Sequence, residues 1–425
     1  MANLHPFRGY RFDPEKSGGL DQVVTQPYDK IPASLRRDYQ KRSPYNVAHI
    51  ICDSDYEAAG QRLKEWIAQG ILARDDSPCL YVYRQTFRIE KEMVERTGFI
   101  CLVSLEHAGQ TVKGHEKVLD GPLQDRLQLL RATEVNDGLI FSLFSDPTKN
   151  SDRLLASASM EVPAVEVKDD LDVTHHIWPI RDKEVTARIL QIIDPLTLYI
   201  ADGHHRFETA CTYARQCWGR GWRPSAVESF DKRMMALFNM EGSGLRILPT
   251  HRTVKGLTDF NQLAFLESLM SDFSVEKQSS LEDILSKLET ETKRLGLVVD
   301  QPERFYLLSP LKEDLGSLKK LETPARGLDV NLLHVAILER FLGIGSKELA
   351  TQSNVEYHRD PRMVIDRVRS GDCQMGFFLR PTKLSQVRAC SEAGVKMPQK
   401  STDFFPKLLT GLVFSRMEID KESLG

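Results

Sequence analysis

An apolar run that ends in Asp-Gly-His-His-Arg constrains this chain more than any other feature. Leu196-Thr197-Leu198-Tyr199-Ile200-Ala201 reads as a buried strand, Asp202-Gly203 as a tight turn, and the residues from His204 onward as a helix. The turn sets two imidazoles and a guanidinium where a helix begins. Helix starts expose unpaired backbone N–H groups and the positive end of the helix dipole. Phosphate and other anions bind at such places. Gly203 allows positive φ and close approach by a ligand. The alternative reading is a strand–turn–helix with a solvated basic cap.

The chain has 425 residues, enough for two or three domains and a sizeable core. Lysine plus arginine number 57 and aspartate plus glutamate 60, for a net charge of −3. That balance gives no general pull toward nucleic acid. Cys52, Cys79, Cys101, Cys211, Cys217, Cys373 and Cys390 are odd in number and none forms a CxxC pair. Reduced thiols in a cytoplasmic protein are expected, without a disulfide frame or zinc ribbon. The first residues lack a signal-peptide core, and no apolar run approaches membrane-span length, so no membrane partner is expected.

Strand and helix patterns alternate without a repeat. Ser54-Asp55-Tyr56-Glu57 fits a capping box before a helix that Gly70 stops. Leu80–Ile89 and Gly98–Leu105 read as strands around a polar hairpin, Glu90–Arg96. Helices are expected at Asp125–Thr133, Asp182–Ile193, Arg206–Trp218, Asp329–Leu342, Asp360–Arg369 and, capped by Thr382, through Glu392. Further strands are expected at Leu139–Phe144, Arg233–Met240, Phe305–Leu308 and Met375–Leu379. Asp259–Arg294 reads as a solvated amphipathic helix pair. The class is α+β, or mixed α/β, with a boundary near residue 255.

Several polar clusters lie beside apolar strands or turns. In Gln26-Pro27-Tyr28-Asp29, Asp29 can hold a metal or a proton, or merely make an Asx-type turn. In Gly114-His115-Glu116-Lys117, the His-Glu pair suits a base, a ligand or a surface pair. Asp125-Arg126 can cap a helix. Pro249-Thr250-His251-Arg252 offers a basic pair for a phosphate or carboxylate. Lys400-Ser401-Thr402 through Lys407 brings lysines and hydroxyls together, or forms an amphipathic surface turn. His175-His176 with His204-His205 invites a metal reading, but adjacent strand residues point to opposite faces. Gly203 belongs to neither a GxGxxG nor a Walker pattern, and there is no GxSxG elbow.

As a set, Pro6-Phe7-Arg8-Gly9-Tyr10, Gln26-Pro27-Tyr28-Asp29, His115-Glu116, Asp125-Arg126-Leu127, Asp202 through Ala210, Pro249-Thr250-His251-Arg252 and Met397 through Lys407 resemble the domain-of-unknown-function family 1015. The resemblance covers nearly the whole chain in order. The family usually has Pro-Pro-Tyr-Asp, Pro-His-Glu and a Tyr where this chain has Gln26, Gly114 and Asp403. Through its DGHHR-like turn the family is similar to the ParB/sulfiredoxin-like superfamily, which includes nucleotide-dependent free-serine kinases and CTP-binding ParB proteins. The resemblance implies a ParB/sulfiredoxin-like strand–turn–helix core with α/β elements added at both ends. It also implies that Gly203, His204, His205 and Arg206 face nucleotide phosphates.

The expected organisation is a nucleotide-binding region over 1–255 and a C-terminal α/β region over 256–425 that packs back on the first. The expected activity is transfer of a phosphoryl group from ADP or ATP, with Mg²⁺, to a small, serine-like hydroxyl metabolite. Phosphoryl transfer needs mainly positioning and charge neutralisation. Asp202, Glu116, Asp29 and His204 are the candidate catalytic groups, and Asp202 and Glu116 the candidate Mg²⁺ ligands. Arg252, Arg126 or Lys400 would hold a phosphate or the acceptor's carboxylate. The competing readings are a nucleotide-binding regulator without turnover and a metal-dependent hydrolase built on the histidines.

Overall fold

The computed structural model describes residues 1–290, 292–299, 302–312 and 315–422. The chain divides into two compact units. Unit 1 holds residues 1–114, 118–246 and 406–425; unit 2 holds 115–117 and 247–405. Among the described residues, no helix is long and apolar enough to cross a membrane.

Unit 1 is built on a mixed sheet. Its strands are β1 (Leu4–His5), β2 (Leu80–Ile89), β3 (Glu92–Ser104), β4 (Val112–Gly114), β5 (Ile140–Phe144), β6 (Val165–Lys168), β7 (Thr174–Ile180), β8 (Leu198–Asp202) and β9 (Lys232–Asn239). They lie in the order β4-β8-β5-β9-β3-β2-β7-β6, with β1 beside β3. The β4–β8 and β5–β9 pairs are parallel, and the others antiparallel. The central strands are buried on both faces, as in Ile140-Phe141-Ser142-Leu143-Phe144, where all five residues are buried. Helices Lys183–Ile193 and His204–Gly219 cover one face, contributing Ile189, Ile193, Phe207, Ala210 and Tyr213 to the core. Burial of such apolar area is the main favourable contribution to folding.

Unit 2 is an antiparallel sheet of β10 (His251–Val254), β11 (Phe273–Gln278), β12 (Leu295–Val299), β13 (Arg304–Pro310), β14 (Val355–His358) and β15 (Met375–Phe378). The order is β11-β13-β12-β15-β10-β14. One apolar cluster gathers Leu297, Leu308, Ile337 and Phe377; a second gathers Ile284, Val298, Val364 and Phe378. Val298 and Leu297 fall in different clusters because neighbouring strand residues face opposite ways.

The elements differ from the sequence expectations in instructive ways. The polar hairpin is far shorter than Glu90–Arg96: β3 starts at Glu92, and Glu90 turns the chain at φ 52°. Glu92, Glu95 and Arg96 are strand residues, and Arg96 donates to the Gln85 side chain and, at 2.7 Å, to the Pro406 carbonyl. The capping side chain of helix Tyr56–Ala68 is Asp55, which accepts from Ala58 N, so the cap sits one residue past Ser54. Asp259–Arg294, of which residue 291 lies outside the described residues, is not a solvated helix pair. It is helix, strand β11 and helix, with Phe265, Leu269, Ile284 and Leu288 buried. Its charges lie on the outward sides of elements whose inner sides are core. Strands β10, β12 and β14 were not expected: β12 is a short apolar run with little periodicity, and β10 and β14 are four-residue stretches that mix charged and apolar residues. Asp329–Leu342 is helical throughout but passes through a π-helical stretch, His334–Glu339. Thr382 does not cap the last helix, which starts at Leu384; its hydroxyl donates instead to the Ser401 carbonyl at 2.6 Å.

Candidate functional site

β8 carries four buried residues, Leu198 to Ala201, and then reaches the half-buried Asp202. Its pairing with β5 slips register between Ile200 and Asp202. Such an irregularity re-aims the strand end. Gly203 follows at φ 94°, and helix His204–Gly219 begins at once. The backbone angle favours glycine, and a Cβ on Gly203 would lie 3.1 Å from Arg206 Nη2, which would have to shift slightly. Gly203 offers the helix no capping side chain, and the first turn holds no acidic residue. The helix dipole therefore meets the turn without a built-in anion beyond Asp202.

Arg206 does not cap an exposed turn. It is 8% exposed, donates from Nη1 to the Leu139 carbonyl at 2.5 Å, and pairs through Nη2 with Asp202 at 3.2 Å. The i, i+4 spacing from Asp202 brings the guanidinium back over the turn, where strand β5 begins with a carbonyl to satisfy. The Asp202 carboxylate also lies 3.3 Å from the Lys407 ammonium. Burial alone would raise the Asp202 carboxyl, but Lys407, Arg206 and Lys30 together hold it far below the usual carboxylate range. Asp202 is thus fully ionised near neutral pH. A general base works best with a pKa near the working pH, so Asp202 is suited to hold cations in place, not to shuttle protons. Each of its oxygens already faces a cation, which also makes it a poor ligand for Mg²⁺.

The two histidines separate. His204 is buried, and a Cβ on Gly114 would sit 3.0 Å from its Cδ2. His205 accepts from Leu119 N through Nε2 at 3.1 Å, which puts its proton on Nδ1. It ties down the approach to helix Asp120–Thr133.

Other expected residues of unit 1 gather at this turn. Tyr28, Asp29 and Lys30 form one 3₁₀ turn. The Arg126 guanidinium lies 4.2 Å from the Tyr28 ring centre and pairs with Asp125 at 2.7 Å. Burial pushes the Tyr28 hydroxyl up to about 12, against the opposing charges of Arg206 and Arg126. Tyr28 therefore stays a neutral donor. Lys30, Asn136, Gly138 and Arg233 also lie at this turn, without a motif in the sequence to mark them. Arg233 donates to the Asn136 side chain and, at 2.7 Å, to the Gly138 carbonyl. Burial pushes its guanidinium down to about 10. The signal for it was present: an arginine opening the apolar run Met234-Met235-Ala236-Leu237-Phe238 must find internal partners.

The remaining expected residues belong to unit 2. His115 is buried and its Nε2 lies 3.1 Å from Thr402 Oγ1. Glu116 is half-buried and forms a bridge with Met397. Arg252, 2% exposed, donates to the Thr250 carbonyl and, at 3.0 Å, to the Lys400 carbonyl. Arg252 and Lys400 are thus joined through Lys400's backbone, and burial pushes Arg252 down to about 10. His251 is pushed down to about 4 by burial and by Arg252.

Among the described residues, no three His, Cys, Asp or Glu side chains group as a metal site requires. His175 is buried against Tyr83, its Nδ1 at 2.8 Å from the hydroxyl, whereas His176 stacks on Trp178. The two rings lie on opposite faces of β7, as strand geometry demands. The histidine-based hydrolase has no support in this arrangement.

The family described as "Protein of unknown function (DUF1015)" matches residues 4–331. No curated protein matches the chain. Among solved structures the chain is similar to free serine kinase in complex with AMP, at 13% identity and TM-score 0.36, over 72% of this chain and 86% of that one. It is similar to SbnI with C-terminal truncation from Staphylococcus aureus, at 11% and 0.35, over 73% and 85%. It is also similar to a conserved hypothetical protein from Pyrococcus furiosus, at 12% and 0.35, over 72% and 90%.

Proposed function

The chain belongs to the DUF1015 family, and we propose that it is a nucleotide-dependent phosphotransferase acting on a small hydroxyl metabolite of serine-like kind. One observation carries the reading: Lys30, Arg206 and Lys407 converge on the ionised Asp202 at the uncapped start of a sixteen-residue helix. Phosphoryl transfer asks a protein for positioning and for neutralisation of phosphate charge. Backbone N–H groups of a first helical turn and three cations meet that need. A bound ADP or ATP would supply the phosphoryl group; Asp202, held between Lys407 and Arg206, does not fit as a Mg²⁺ ligand.

The chain's own residues have separable parts in this reading. Gly203 lets phosphate approach the backbone. Lys30 and Lys407 neutralise phosphate charge, and Asp202 keeps them and Arg206 aimed at the turn. Asp29, exposed on the neighbouring 3₁₀ turn, accepts the acceptor's hydroxyl proton. His204 forms the buried wall beneath the turn. Arg252 is committed to carbonyl oxygens and is left out of the phosphate-binding set. The second reading is a regulator that binds the nucleotide without turnover. The low basicity of Asp202 favours it, since the carboxylate at the head of the turn is then a weak proton acceptor.

The test is to incubate the protein with ADP, ATP or CTP, Mg²⁺ and a pool of small hydroxylated metabolites including serine, and to read products by mass spectrometry. A single acceptor gaining a phosphoryl group supports the kinase. Saturable nucleotide binding by calorimetry with no product over hours selects the regulator. Absence of binding by any of the three nucleotides removes both readings.

A further inference from the structure

Unit 1 contains a cavity of about 310 Å³ lined by Thr25, Tyr39, Arg42, Lys168, Asp169 and Asp170, among others. Its volume falls at the lower end of small-ligand pockets. The floor is buried: Thr25 is 1% and Tyr39 2% exposed, and the Asp169 side chain 4%. Asp21, Arg42, Lys168 and Asp170 form an exposed rim. The cavity is therefore a funnel with a polar floor.

Charge decides what it suits. Arg42 is neutralised by Asp170 at 3.0 Å and lies 4.6 Å over the Tyr39 ring. Lys168 is neutralised by Asp172 at 2.8 Å. Asp169 accepts from Gln26 Nε2 at 2.8 Å, Leu171 N at 2.8 Å, Val173 N at 3.0 Å and His175 Nε2 at 3.3 Å. These are neutral donors, because burial lowers the His175 pKa. Among the described residues no lysine or arginine pairs with Asp169. Its hydrogen bonds outweigh burial and hold the Asp169 carboxyl below its usual range, so it stays ionised as a negative charge at the floor. Asp21 at the exposed rim, which accepts from Gln22 Nε2 at 2.5 Å, adds a second negative charge. The Thr25 hydroxyl oxygen is buried at the cavity wall without a hydrogen-bond partner. Such an unsatisfied group costs roughly 1–3 kcal/mol.

We propose that this cavity is a binding site for a small organic ammonium compound, seated between Thr25 and Asp169 with its charge toward Asp169 and Asp21. A protonated primary amine places a positive charge beside the ionised Asp169 and brings donors for the unpartnered Thr25 hydroxyl. The three carboxylates of the lining exceed its two cations, which disfavours an anion. The site is distinct from the Asp202–Arg206 turn and stands or falls without it.

The experiment is calorimetry on the full chain without nucleotide, using ethanolamine, putrescine, L-serine and sodium acetate as probes. At least one amine is expected to bind saturably below about 10 mM, with acetate silent. Ethanolamine or putrescine binding best identifies a simple amine, and L-serine binding best identifies a zwitterion; both support an ammonium site. Asp21→Lys changes only the exposed rim and is expected to weaken the amine about fivefold to tenfold. Thr25→Val keeps the shape, loses the hydroxyl, and is expected to weaken it severalfold while the melting temperature of the free protein holds or rises. Three results overturn the proposal: no amine binding at about 10 mM, acetate binding as well as the amines, or unchanged amine affinity in both variants.

Discussion

The ammonium of Lys407 lies 3.3 Å from Oδ1 of Asp202, although 205 residues separate them in the chain. The contact closes unit 1, because residues 406–425 belong to it while 247–405 do not. It also explains why Asp202 stays ionised in a half-buried position.

Lys407→Met should destabilise unit 1 by about 1–3 kcal/mol, less than a fully buried pair because Asp202 retains some exposure. The sign of the pH effect follows from the lowered Asp202 pKa. Its stabilisation is complete above the unfolded value of about 3.9 and is lost as pH falls through the lower folded value. Removing Lys407 raises the folded value, so the variant should lose less stability than the parent on acidification below about pH 4. Urea midpoints across that range test this; parallel acid limbs would refute it.

Arg206→Ala should cost about 2–4 kcal/mol, since it leaves the Leu139 carbonyl and one side of Asp202 without their partner. Arg206→Lys should recover part of the charge but little of the two-point geometry. Nucleotide affinity should fall in both. Chemical denaturation and calorimetry on the same samples separate the two effects, and an Arg206→Ala protein as stable as the parent would show that the buried contacts carry no weight.

Gly203→Ala forces an L-residue to φ 94° and sets its Cβ against Arg206. A loss of about 1–2 kcal/mol is expected, with weaker nucleotide binding because the turn must shift. A second glycine at positive φ but in open space, Gly394 at φ 71°, serves as the control. Equal nucleotide affinity for Gly203→Ala and parent would separate the turn from phosphate binding.

His251 should remain neutral down to about pH 4, because burial and Arg252 oppose its protonation. The unfolded imidazole titrates near 6.5. Its contribution is therefore complete above about pH 6.5 and declines as pH falls toward 4. Proton NMR of the His251 ring is the direct check, and a midpoint above 6 would contradict the buried environment.

The Asp202–Ala210 stretch was legible as strand, turn and helix because each part is local. Apolar alternation, an Asp-Gly pair and a 3.6-residue period act within a few residues. Helices Lys183–Ile193 and Pro361–Arg369 were legible for the same reason, each opening on an aspartate cap. Site composition was partly legible too: Tyr28, Asp29 and the lysines of the Lys400–Lys407 segment stood out as polar residues beside apolar runs. Tertiary structure alone decided what these residues do. Arg206 turns inward because β5 begins beside it with a carbonyl in need of a donor, and His205 accepts from Leu119, 86 positions away. Lys407 comes to Asp202, while Lys400 presents its carbonyl to Arg252 within unit 2. The motif places charges along the chain, but the demand that every buried polar group find a partner, met across the fold, assigns each charge its role.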